Sequence, residues 1–156
     1  MEEHKERLML NGTERISINR EDIWGESIAV FKNPKFNVKA TPRVNFEGES
    51  GIDGGGLRRE FGSLLRTKIF STEAKLFEGI EDRKLPIYSI EAIQSQLFQV
   101  VGRMVSYLII HLDIGIPFLS PPVYQYIVHG SLEDAESSCS IQDICDFEVQ
   151  ELIRKV

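Results

Sequence analysis

The chain has 156 residues, enough for one hydrophobic core and too few to expect two independent ones. Its 42% hydrophobic and 27% charged composition is that of an ordinary globular protein and argues against a disordered or collagen-like chain. A formal charge of -6, with the Lys and Arg residues scattered, argues against general nucleic-acid affinity, which needs cations clustered against phosphates.

Ile16-Ser17-Ile18 alternates as a short strand does. Asn19 then offers a helix N-cap with Asp22 three residues on, and Ile23, Trp24, Ile28 and Phe31 form one apolar face over the next turns. Asn33-Pro34 ends that helix, because the residue before proline avoids helical geometry. A second strand is predicted at Val44 to Phe46, followed by a turn-rich run from Gly48 to Gly56. Leu57, Phe61, Leu64, Leu65 and Ile69 repeat at helical spacing. Ser71 or Thr72 caps a short turn that ends at Leu76-Phe77, and residues 79–87 read as a loop. One long helix is predicted from Ile90 to Leu112, capped by Ser89, with a second half apolar enough to lie centrally. Ser120-Pro121 starts another helix that Gly130 stops. In the tail, Ile141, Ile144, Cys145, Val149, Leu152 and Ile153 repeat at helical spacings between acidic residues. The fold class that follows is α+β, mainly helical, with two or three short strands.

The N-terminal MEEHKERLML lacks the apolar core of a signal peptide. The stretch from Leu97 to Leu112 is broken by Gln99, Arg103, Ser106 and His111, short of the ~20 apolar residues of a membrane span. With only Cys139 and Cys145, a disulfide framework does not apply; an intracellular setting, cytoplasmic or nuclear, is the expectation.

The glycine run between a strand and a helix first suggests a phosphate cradle. No Lys-Ser or Lys-Thr follows it, the G-x-G-x-x-G spacing is absent, and Glu47, Glu49 and Asp53 bring negative charge to where an anion would sit. The stronger reading is structural: glycines permit positive φ and close backbone approach, and Asp53 accepts from amides at the helix start. Arg58, Arg59 and Glu60 then serve as solvated charges or as partners of Glu49 and Asp53 that fix the loop.

Cys139 and Cys145 are the only thiols, with His129 the nearest base in sequence. A nucleophilic cysteine needs nearby positive charge, whereas Glu133, Asp134, Glu136, Asp143, Asp146 and Glu148 surround these two. The three histidines are far apart and no C-x-x-C occurs, so neither a metal site nor a cofactor is expected.

The segment Val44-Asn-Phe-Glu-Gly-Glu-Ser-Gly-Ile-Asp-Gly-Gly-Gly-Leu-Arg-Arg-Glu-Phe61 resembles a signature early in the N-terminal lobe of HECT-type ubiquitin ligases. Its matching positions include Gly48, Glu49, Asp53, Gly55, Gly56, Arg59, Glu60 and Phe61. Ile18-Asn19-Arg20, Leu76-Phe-Glu-Gly79, Phe98 to Arg103, Leu119 to Tyr124 and Leu132-Glu-Asp134 keep that family's order, so the likeness covers about residues 14–135. The chain departs from many relatives at Gly62, after Arg-Glu-Phe, where close packing against a neighbour is expected to replace a bulky side chain.

The resemblance implies a partial N-terminal lobe over residues 14–156 behind an extension at 1–13, with Glu49, Asp53, Gly55, Gly56, Arg59, Glu60 and Phe61 as a structural motif. Ubiquitin and a ubiquitin-conjugating enzyme are the implied partners, through regions outside this stretch. Neither cysteine stands in the family's Thr-Cys context, so no catalytic residue is carried over and the stretch is not expected to act alone. The competing expectation is a non-enzymatic interaction module that binds a protein partner at an exposed lobe surface, above all along Ile141 to Val156.

Overall fold

The computed structural model describes residues 10–49, 55–80 and 82–155, with only the backbone described at 10 and 11. The architecture is mainly helical with a few short strands. The chain divides into two compact units, where length alone suggested one core: residues 1–69 with 89–115, and residues 70–88 with 116–156.

The first unit begins with β1 (Leu10–Ile18), longer than the three residues read from the sequence. A 3-10 turn at Arg20–Asp22 leads into α1 (Ile23–Lys32), capped by Asp22 accepting from the Gly25 amide. Asn33 bonds back to the Val30 carbonyl and ends the helix where the following proline requires. β2 (Ala40–Phe46) then returns parallel to β1, pairing Ile16 with Val44 and Ile18 with Phe46. Parallel pairing demands a crossover, and α1 supplies it. Alternation fixes the register: Ala40, Pro42, Val44 and Phe46 are buried while Thr41, Arg43 and Asn45 face solvent.

Two helices complete the core of this unit. α2 (Gly56–Ile69) buries Phe61, Gly62, Leu65 and Ile69. The predicted long helix from Ile90 to Leu112 is instead two: α3 (Ile90–Gln94) and α4 (Leu97–Leu112). The break falls at Ser95-Gln96, where the Ser95 hydroxyl donates to the Ala92 carbonyl and Gln96 is left-handed at φ 59°. Serine's local bonding competes with helical continuation. A continuous helix would also have brought Ile93 round to the buried stripe, whereas Ile93 is exposed.

α4 buries Val100, Val101, Met104, Tyr107 and Leu108, as a central helix should, although Ile109 on the other side is exposed. Phe31 meets Tyr107 edge to face at 5.4 Å, and Tyr107 meets Phe61 at 6.0 Å. Gly62 behaves as the sequence suggested. A Cβ there would lie 2.8 Å from Ile114 Cδ1 and collide with Leu112, so glycine lets α2 approach α4.

The second unit holds a minimal antiparallel pair, β3 (Phe77–Glu78) and β4 (Leu85–Pro86), inside the region read partly as loop. Two-residue strands carry too little alternation to be seen in sequence. Lys84 donates to Phe118 at 2.7 Å and accepts from Ser120 at 3.0 Å, which ties the segment before the next helix to this pair. Phe70 anchors the unit against Phe77 and Phe118 at 4.9 and 5.0 Å.

α5 (Pro121–His129) starts on proline and stops at Gly130, whose φ of 67° admits the terminating bond to Tyr126. α6 (Leu132–Ser137) is capped by Ser131 and was not predicted as a helix. The tail is not one helix. A 3-10 turn at Ile141–Asp143 with a Ser140/Asp143 capping box precedes α7 (Phe147–Arg154), which Asp146 caps. Cys145 lies between them and is exposed, so it is not part of an apolar face. No helix of the described residues is long and apolar enough to cross a membrane.

Candidate functional site: an arginine clamp on the glycine turn

The turn after β2 is bracketed by charges that converge on one residue. Arg20, in the 3-10 turn before α1, donates from Nε to Glu49 Oε1 at 2.7 Å and from Nη2 to Glu49 Oε2 at 3.0 Å. Its Nη1 reaches Glu60 Oε1 on α2 at 2.6 Å. The guanidinium lies over the Phe46 ring, 4.0 Å from the ring centre, so the last buried residue of β2 forms its floor. A planar fork suits a bidentate carboxylate and an aromatic face at once, which a lysine could not match. These bonds hold the Glu49 carboxyl below the usual range, against a smaller opposing effect of desolvation.

The clamp joins the two ends of the glycine run. Glu49 stands at its start, and its amide bonds the Phe46 carbonyl at 3.2 Å; Glu60 sits one turn inside the helix that follows. Gly55 has φ 103°, which glycine adopts without strain, and its carbonyl accepts the Arg59 amide at the start of α2. Phe61 is fully buried and fixes the helix to the core.

Of the predicted motif, Glu49 and Glu60 therefore share Arg20, Gly55 and Gly56 form the helix start, Arg59 is exposed beside it, and Phe61 is a core anchor. Asp53 lies outside the described residues. Arg20 is the member that sequence reasoning missed as a site residue. Its signal was the surplus of carboxylates around the turn, which calls for a cation from elsewhere in the chain.

Beside the helix start, a cleft of about 320 Å³ is lined by Gly55, Gly56, Arg58, Arg59, His111, Leu112 and Asp113. His111 donates from Nε2 to the Val38 carbonyl at 2.7 Å, while its Nδ1 is buried. Burial lowers its pKa, with Arg58 adding to the effect and the Val38 bond opposing it, so the imidazole is held neutral.

The second unit has its own polar centre. Asp143, almost wholly buried, accepts from Arg83 Nη1 and Ser120 Oγ at 2.8 Å each, from the Ser140 amide at 2.7 Å and from Ser140 Oγ at 3.1 Å. Burial alone would raise its pKa; the donors from Ser120, Arg83 and Ser140 outweigh that and leave it lowered. The cluster binds the capping box to the start of α5 and to the segment before β4.

The surroundings of Cys145 are not those that activate a nucleophile. Although Cys145 is exposed overall, partial desolvation of its thiol pushes its pKa up first, then Glu78 and Asp143 do so, against an opposing effect of Lys84. Cys139 is exposed, and its Sγ lies 3.6 Å from the Ala135 carbonyl. Among the described residues, no group of three or more His, Cys, Asp or Glu side chains is placed to hold a metal ion.

The chain is 26% identical over 147 residues to the human G2/M phase-specific E3 ubiquitin-protein ligase, covering 92% of this chain and 20% of that protein. It is similar to part of the E3 ubiquitin-protein ligases. The Schizosaccharomyces pombe E3 ubiquitin-protein ligase pub3 is 30% identical over 136 residues, which span 82% of the chain and 17% of pub3. The probable E3 ubiquitin-protein ligase HUL4 of Eremothecium gossypii is 34% identical over 89 residues, 56% of the chain and 11% of that protein. The chain thus spans about a fifth or less of the length of these relatives. No protein-family profile matches it. The relatives' names agree with the ubiquitin-ligase side of the glycine-turn resemblance.

Proposed function

We propose that residues 14–156 are a scaffold part of the N-terminal lobe of a HECT-type ubiquitin ligase domain. In this reading the complete protein passes ubiquitin from a conjugating enzyme to protein substrates through a cysteine thioester, formed on a lobe outside the stretch described. The glycine turn bears no chemistry of its own. It braces the lobe, with Arg20 locking Glu49 to Glu60 across the turn while Phe61 ties α2 to the core.

The observation that carries the reading is the convergence of signature residues. Arg20, Glu49 and Glu60 are separated by up to 40 positions, lie in stretches that match the family's order, and meet in one ion-paired cluster. The similarity to E3 ubiquitin-protein ligases supports the same reading. The raised Cys145 thiol fits a stretch that does not itself accept ubiquitin.

A chimera tests the proposal. In pub3, the region that aligns with this chain is replaced by this chain's own residues, and ubiquitin transfer is followed on a non-reducing gel. Retained thioester formation, slowed by Arg20→Ala, is the expected result. A folded chimera that forms no thioester would overturn the scaffold reading. A thiol-sensitive ubiquitin adduct on this 156-residue chain alone would overturn the assignment of the chemistry to another lobe.

A further inference from the structure

The acidic excess of this protein is not shared between its two units. The first unit has 13 Lys and Arg against 13 Asp and Glu, and is neutral; the second has 5 against 11 and carries the whole formal charge of -6. Between Ile116 and Ile153 there are seven acidic residues and no Lys or Arg. Within that stretch the hairpin of α5 and α6 exposes apolar side chains on consecutive elements. Tyr124, Ile127 and Val128 are 55%, 66% and 53% exposed, and Leu132, first in α6, is 68% exposed.

Tyr124, Ile127 and Val128 stand at i, i+3 and i+4, so they form one stripe along α5. Scattered exposed apolar residues need no explanation, but four within nine positions of one hairpin form a patch of the kind that marks association. Only Pro122 of α5 is buried. The stripe is therefore not the inward face of an ordinary amphipathic helix turned to its own core.

The neighbouring charges have one sign. Glu133, Asp134 and Glu136 on α6 are all exposed, and among the described residues none of the three is in an ion pair, unlike Asp143 with Arg83 or Glu151 with Arg154. Glu133 and Asp134 suit the positive first turn of a helix, which is their ordinary structural role. Glu136 sits in the last turn, where the helix dipole disfavours an anion, so capping does not account for it.

We infer that the α5–α6 hairpin is a docking surface for a basic amphipathic helix of a partner protein, its apolar residues on the Tyr124/Ile127/Val128/Leu132 stripe and its Lys or Arg side chains against Glu133, Asp134 and Glu136. Charge complementarity selects this partner chemistry: the hairpin offers apolar contact flanked by negative charge and no cation that would attract an acidic segment. The inference does not depend on the ubiquitin reading, since it rests on the second unit's surface alone.

The full chain, isotopically labelled, is titrated with a helical peptide of roughly five turns bearing leucines on one face and lysines beside them. A counterpart with glutamates in place of the lysines is the control. The lysine peptide is expected to shift the amide signals of residues 124–136 and to bind several-fold more weakly as salt rises from about 50 to about 300 mM. The glutamate peptide should not bind. Ile127→Asp should cost at least about tenfold in affinity with the circular dichroism spectrum unchanged, because Ile127 is exposed. The double charge reversal Glu133→Lys with Glu136→Lys should exchange the preference for the two peptides.

Equal binding of both peptides, shifts centred on α7, insensitivity to Ile127→Asp, or a patch covered instead by a second copy of the chain in concentration-dependent sedimentation would each overturn the proposal.

Discussion

Replacing Asp143 tests most directly how the second unit is held. Its Oδ1 accepts from Arg83 and Ser120, and its Oδ2 accepts from the amide and hydroxyl of Ser140. Asparagine keeps one acceptor oxygen and turns the other position into a donor. With that donor toward Ser140, the amide N–H loses its partner and the capping box fails. With the donor toward Arg83, the Ser120 hydroxyl can turn to accept, while the partly exposed guanidinium finds water. The second arrangement is cheaper, so Asp143→Asn should cost about 1–3 kcal/mol, the worth of a hydrogen bond to a charged group.

Asp143→Ala removes every acceptor and leaves the buried Ser120 hydroxyl and the Ser140 amide without their partner while Arg83 turns to water, for about 2–4 kcal/mol, more than asparagine. Urea unfolding followed by hydrogen exchange at the Ser140 amide reads both, and exchange also keeps the result clear if the two units unfold separately. The pH dependence has a fixed sign. A carboxyl with a lowered folded pKa contributes stability above its unfolded pKa and loses it as pH falls through the folded one. The gap between wild type and Asp143→Asn should therefore shrink in acid, below the ordinary carboxylate range. Equal stabilities at pH 7, or a gap that persists undiminished in strong acid, would refute the reasoning.

Ser27 is fully buried in α1 and its hydroxyl has no hydrogen-bond partner among the described residues, so Ser27→Ala should raise stability by about 1 kcal/mol, seen as a melting point a few degrees higher. Arg20→Ala should speed hydrogen exchange at the Glu49 amide while barely moving the melting point, and Arg20→Lys should restore protection only in part, because an ammonium cannot hold both Glu49 oxygens in one plane. His111 is kept neutral by burial, so the unfolded chain binds the extra proton. Stability should fall as pH drops below about 6.5, and His111→Gln should remove part of that fall in melts between pH 7.5 and 5.5.

Periodic and punctuated elements were legible in the sequence. The apolar repeats of α1 and α2, the Ser-Pro start and Gly stop of α5, and the alternation at Val44 to Phe46 each carry a local signal as strong as the structure they produce. Gly62 was legible too, since an unforced glycine inside a helix asks for a close neighbour, and Leu112 and Ile114 supply it. The break at Ser95-Gln96 was not, because the apolar count runs on through it and only the phase of Ile93 against Val100 betrays it. β3 and β4 were invisible because two residues cannot display a period. The division into two units was hidden for another reason: residues 70–88 leave the first unit and 89–115 return to it, so no linker composition marks a boundary.

The candidate site shows the same limit. Its carboxylates and glycines are contiguous and could be read as a motif, whereas its cation comes from before α1, and no spacing rule joins Arg20 to Glu60 across 40 positions. Once Arg20 is placed, the chemistry the site can support narrows. Glu49 and Glu60 are both engaged by the Arg20 guanidinium, and the Cys145 thiol is displaced away from the thiolate. Reactivity would need a cation beside Cys145 strong enough to reverse burial together with Glu78 and Asp143, and Lys84 falls short of that. In the scaffold reading proposed above, these residues orient and brace, and the group that carries the covalent step belongs to other residues.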